Sequence, residues 1–249
     1  MRGRRGRSRR SRQRDVTRYL EKLRSRAYLL RGCREFYRGL GRDPQYWVVR
    51  RFLADPHTNH DDVIGALALF LKTWNWMKYA RIKHSTKQVE DAIETALAES
   101  RDPLNALRGV TLLNLRPDRD GERIAQAFGA FAGQRRLIGS TGASKALHIL
   151  RPELFVPWDT TIQSIYHRLH PGYWPTTVLA GEPRCRGVKR LDVCYAHFMR
   201  ICQSAARNLD ISLVIRSGHP ANRLGFQVYV TKAIDECNYR QWTDEKPWQ

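Results

Sequence analysis

Two neighbouring stretches hold residue types whose spacing suits chemistry. Ile138 to Ala146 reads IGSTGASKA, and Phe155 to Leu169 reads FVPWDTTIQSIYHRL. In the first, Gly139 and Gly142 allow backbone conformations closed to other residues, just where one helix ends and another begins. A turn of that kind aims backbone N–H groups out of a helix N-terminus, which makes a seat for an anion such as phosphate. Gly139, Thr141, Gly142, Ser144 and Lys145 would form this seat, and Arg135 and Arg136, just before it, would add charge. In the second stretch Asp159 stands at the expected N-cap of a helix. It can simply cap that helix. It can also serve as an ionised carboxylate held at a helix start, facing whatever the glycine turn anchors.

Other residues are weaker candidates. Trp74, Asn75 and Trp76, in TWNWMKY, together with Trp158, could enclose a flat ring, although tryptophans more often pack the core. His167 and His170 lie three apart, with no third ligand evident, so surface or phosphate-facing roles are favoured and no metal or cofactor is expected. The five cysteines are scattered and never form a CxxC pair, which points to reduced thiols.

These residues sit in a chain of 249 residues with a formal charge of +20. The first fourteen residues, MRGRRGRSRRSRQR, supply eight arginines and no acid, leaving +12 on the remainder. Residues 1–14 read as a disordered arm, and residues 15–249 as a folded domain that is itself basic. The expected partner is a polyanion, nucleic acid before membrane. No apolar run approaches a bilayer span, VIGALALFL being about half of one. The expected location is cytoplasmic, associated with the nucleoid.

The elements that must position the candidates read as helices. DVTRYLEKLRSRAYLLRGCREFYRGLG predicts one helix opening at Asp15, and a new segment begins at Asp43-Pro44. HTNHDDVIGALALFLKTWNWMKYA is apolar nearly all round and predicts a buried helix. STKQVEDAIETALAES opens with a capping box of Ser85 and Gln88, and further helices are expected at roughly 102–115, 119–133 and 189–207. From 210 to 242 the β-branched ISLVI and FQVYV compete with helical spacing, and helix is favoured in a chain otherwise helical. The basic loop Arg184 to Arg190 is a further candidate for backbone contact.

With the glycine turn about 121–150, and the acid helix about 159–170, the pattern resembles the helix-hairpin-helix DNA glycosylases, as a divergent member. Leu137, Gly142, Ser144 and Ala146 match the hairpin; Asp159-Thr160, Ile162 and Arg168-Leu169 match the acid and its helix. The match is tight over about 35 residues. GSTG replaces the usual G-x-G, and the spacing from hairpin to acid is shorter than usual. The resemblance implies a mostly α-helical fold of two interlocked helical subdomains with the active site in the cleft between them. It implies a monomer that bends double-stranded DNA, extrudes a nucleotide and breaks its N-glycosidic bond, with Asp159 stabilising the sugar cation.

The alignment puts Ser144 where such enzymes carry a nucleophilic lysine, so water is the expected nucleophile and the enzyme monofunctional. Lys145 lies one residue on, about a quarter turn round the helix, and is expected to face phosphate. A local bulge would instead bring its amine into the site, for a Schiff base and strand nicking. Two rivals remain: a non-catalytic helix-hairpin-helix DNA-binding protein with Asp159 as a cap, and a helical packaging scaffold using the arm. Oxidised, alkylated and mismatched bases all remain open as substrates. So do the hypermodified bases of phage DNA, which would make the role antiviral defence in place of repair.

Overall fold

A computed structural model describes residues 18–40, 43–74, 79, 85–169, 191–207, 219–224 and 227–243. The chain is mostly α-helical, with no strand among the described residues. No described helix is long and apolar enough to cross a membrane. The arm, Asn75, Trp76, His170, the loop from 171 to 190 and ISLVI lie outside the described residues, as do the side chains of His167, Arg168 and Leu169.

The expected first long helix is broken. A helical stretch at 18–23 stops, and Ser25 restarts the chain by accepting the Tyr28 N–H on its hydroxyl, so that α1 runs Arg26–Leu40. Helix α2, Pro44–Leu53, follows with proline in its first turn. Helix α3, His60–Trp74, begins where Asn59 and Asp62 bond each other's backbone N–H through their side chains. It is not buried all round as its composition suggested. Ile64, Leu67, Ala68, Phe70 and Leu71 face the core, whereas Leu69 is 59% exposed.

Helix α4, Thr86–Ala106, carries the predicted capping box, Ser85 accepting from Gln88 N–H and Gln88 from Ser85 N–H. It passes straight through Pro103, where a fresh helix to 115 was expected. Proline's φ is helical and forfeits only one bond near the end of a helix. Residues 107–115 are instead turns, with Gly109 at φ 75°, because the Arg151 guanidinium draws the carbonyls of Leu107 and Val110 together at 3.1 and 3.3 Å.

Helix α5, Pro117–Gly133, lies at the centre and packs against α4, against α6, Gly139–Leu150, and against α8, Leu191–Ala206. Helix α7, Thr160–Leu169, follows the Asp159 loop. After a 3-10 turn at Pro220–Leu224, residues 227–229 have no regular structure, Tyr229 is extended, and α9 runs Val230–Asn238, ending in a π turn, Tyr239–Thr243. Helix α9 packs on α1, and the π turn touches both α1 and α7. In this last region helix is observed from Val230 onward, with a non-helical lead-in.

Candidate active site

Between α5 and α6 the chain turns in five residues. Gln134 O gathers the N–H groups of Leu137, Ile138 and Gly139, at 3.1, 2.7 and 3.2 Å, and Gly139 sits at φ 67°. Only Gly139 of the two glycines needs the left-handed region; Gly142 lies within the first turn of α6, buried. Arg135 and Arg136 are exposed on the outside of the turn, and Thr141 is half-buried. No side chain caps α6, and the Gly139 N–H at its start is already taken by Gln134 O. Tyr79 ties this turn to the α3 side, its hydroxyl donating to Leu137 O at 2.6 Å.

Ser144 is not part of an anion seat. Its hydroxyl is buried, 3.0 Å from both Thr141 O and Trp158 O, and accepts the Trp158 N–H at 3.1 Å. The reason is helical geometry: the sixth residue of α6 faces the core, where the segment before Asp159 passes. Ser144 therefore fastens the hairpin to the acid's loop. The rest of that loop is fastened as firmly. Phe155 O accepts from Nδ1–H of His148 at 2.7 Å, leaving Nε2 to accept the Tyr46 hydroxyl at 2.9 Å. Val156 O accepts from the Tyr195 hydroxyl at 2.9 Å, and Pro152 O from the Thr231 hydroxyl. Trp158 is 1% exposed and packs among Phe128, Tyr195 and Phe198. It is held in the core by these rings and also contributes to the wall of the cleft that Asp159 borders.

Asp159 does cap α7: its Oδ1 accepts the Ile162 N–H at 2.7 Å. The same carboxylate also forms part of the wall of a cleft of about 510 Å³, the space expected of a small-molecule site. Lys145 enters the same cleft, so the expected direction of its side chain is wrong. One place beyond Ser144, it points away from the core, and its Nζ lies 4.7 Å from the centre of the Trp74 ring while donating to Trp74 O at 3.2 Å. Burial lowers its pKa to about 8, against the pull of Asp235, Asp159 and Asp43. An amine so placed is partly neutral near neutral pH and available as a nucleophile. Trp74 lines the same cleft.

The far wall was not foreseen. Asp43, at the start of α2, and Asp235, on α9, both face the cleft and both grip Lys232, at 2.9 and 3.3 Å. Lys232 is fully buried, with Glu236 at 3.8 Å and the rings of Phe36, Tyr46 and Trp74 around its ammonium. The signal was present in VTKAIDECN, where a lysine is followed three and four residues later by acids on a helix with no exposed face. Behind them Cys33, His219 and Glu236 cluster with ligand-type atoms within 4.8 Å of one another. Ala221 N–H donates to His219 Nδ1 and His219 Nε2–H to Glu236, so both ring nitrogens already serve internal bonds. A metal there would have to break one of them.

No family model, curated protein or solved structure matches the chain.

Proposed function

We propose that the protein is a DNA glycosylase of the helix-hairpin-helix type, cutting the N-glycosidic bond of an extruded, modified or damaged base. The observation that carries this reading is the meeting of Lys145 and Asp159 in one cleft, on the inner side of a turn whose outer side exposes Arg135 and Arg136. The turn and the uncapped start of α6 grip the phosphates of double-stranded DNA, and the nucleotide swings into the cleft between two helical subdomains. As the C1′–N bond breaks, its electron pair leaves with the base, which takes up a proton. Asp159 stabilises the positive charge left on the sugar.

With Lys145 in the cleft, the attacking group is its neutral amine. The Nζ lone pair forms a C1′–N bond, the ammonium so formed loses a proton, and sugar-ring opening gives a Schiff base that borohydride reduces. This replaces the water-only reaction expected with Ser144 at that position. The substrates fall among oxidised, alkylated or mismatched bases and the hypermodified bases of phage DNA, the last making the role antiviral defence.

A second reading rests on the Ile162 N–H bond to Asp159: the acid is a cap only, and the protein grips DNA without reacting. One assay separates the two. DNAs carrying these bases, phage genomes included, are incubated with protein, then treated with alkali to reveal abasic sites. Asp159→Asn keeps a good capping residue, so it is expected to bind DNA as before and to lose base release by about a hundredfold or more. Tight binding by both proteins with no base released from any DNA would leave only the grip.

A further inference from the structure

A protein of charge +20 would be expected to line a DNA-facing cavity with cations, yet three carboxylates, of Asp43, Asp159 and Asp235, reach the cleft against one cation, Lys145. Such a wall repels phosphate and any edge made of carbonyls alone. It suits a group that offers N–H donors.

Asp43 and Asp235 are set apart from Asp159 by how they are held. Each gives its Oδ2 to Lys232 Nζ, at 2.9 and 3.3 Å. That lysine cannot swing away, being fully buried with aromatic rings around it. With one oxygen of each carboxylate taken up behind, the pair presents acceptors to the cleft from a fixed position. Asp43 stands at the N-cap position of α2 but caps nothing; at φ 46° its carboxylate turns to the cleft and Lys232 instead.

Resting on the glycosylase reading, we infer that Asp43 and Asp235 read the exocyclic amino group of the extruded base. The substrate is then a base of the cytosine, adenine or guanine type, with whatever modification it carries elsewhere. Uracil-type bases, which set two carbonyls around a single N–H, are rejected. A carboxylate accepting from an amino group is the same pairing that reads cytosine N4 in the major groove. Discrimination comes from the cost of leaving these buried acceptors facing a carbonyl.

The test uses duplexes holding one mispaired 2′-fluoroarabino nucleotide, which resists hydrolysis, bearing either cytosine or uracil. A third duplex with a tetrahydrofuran abasic site reports the base-independent grip. The wild-type protein should prefer the cytosine duplex by about tenfold or more, the range one good hydrogen-bonded pair supplies. Asp43→Asn and Asp235→Asn should each bring the two affinities to within about twofold, a loss of most of that pair's contribution, while the tetrahydrofuran duplex binds all three proteins alike. Asparagine tolerates the left-handed conformation at 43, and either variant leaves Lys232 two carboxylates, so both should fold. Equal affinity of the wild type for cytosine and uracil, or a preference that survives in both variants, would overturn the inference. Base release is scored separately on unfluorinated duplexes. An amino preference without release removes the reaction and keeps the wall, whereas release with no preference does the opposite.

Discussion

The two sides of α6 treat charge in opposite ways. Outside, Arg135 and Arg136 stand in water on a five-residue turn. Inside, Lys145 lies over the Trp74 ring, Lys232 sits among rings and carboxylates, and burial outweighs the nearby acids to lower the Lys145 pKa to about 8. Solvated charges act at long range, give way to salt and tolerate exchange; desolvated ones act at contact and fail when a partner is lost. The outer side is therefore suited to holding any sequence of a polyanion. The inner side has the fixed geometry that the proposed reaction would need.

The contrast can be broken most sharply at Lys232. Lys232→Met leaves Asp43 and Asp235 without their cation and Glu236 with His219 alone, and should cost about 3–5 kcal/mol of stability in chemical denaturation. An unchanged midpoint would mean that the inner charges are as independent as the outer ones.

His148 gives a pH-dependent version of the same question. Burial, with Lys232 and Arg50 nearby, lowers its pKa to about 3 despite the carbonyl of Phe155, while an unfolded histidine titrates near 6.5. The unfolded chain therefore takes up the proton first, so this stability is complete above the unfolded value and is lost as pH falls toward 3. Between pH 7 and 4 the loss attributable to His148 should reach roughly 3 kcal/mol. His148→Gln should flatten that part of the stability profile, and a profile of the same slope would show that the ring titrates as if exposed.

For Lys145, the neutral fraction of an amine with a pKa of about 8 rises roughly tenfold between pH 7 and 9. Trapping of a protein–DNA adduct by borohydride should rise with it, and vanish in Lys145→Ala. Trapping that is flat over this range would put the amine outside the reaction. The smallest effect is expected on the outside. Replacing Arg135 and Arg136 with alanine should weaken binding to all sequences alike and reduce the salt slope by about two.

Elements with local signals were legible in the sequence: the Ser85–Gln88 box, proline at the start of α2, and the glycine turn all carry their cause within a few residues. Asp159 was legible for the same reason. What could not be read depends on rotation and long-range packing. Whether Ser144 or Lys145 faces the cleft turns on which side of α6 the Trp158 segment occupies, and no local pattern encodes that. Trp158 is held among the rings of Phe128, Tyr195 and Phe198 and also reaches the cleft wall, and no local pattern says how an aromatic residue divides between core and pocket. Likewise Asp43 and Lys232 are 189 positions apart, and the pairing that builds the far wall is invisible until α9 lies on α1.

The bonds between Ser144 and Trp158 also bear on how the gene can change length. Fourteen positions separate the two residues, and the segment between them is anchored at Phe155, Val156 and Pro152 along the way. An added or missing residue there would move Asp159 relative to Lys145, or force every anchor to slip by one. Natural length variation among descendants of this chain should therefore be absent between α6 and α7.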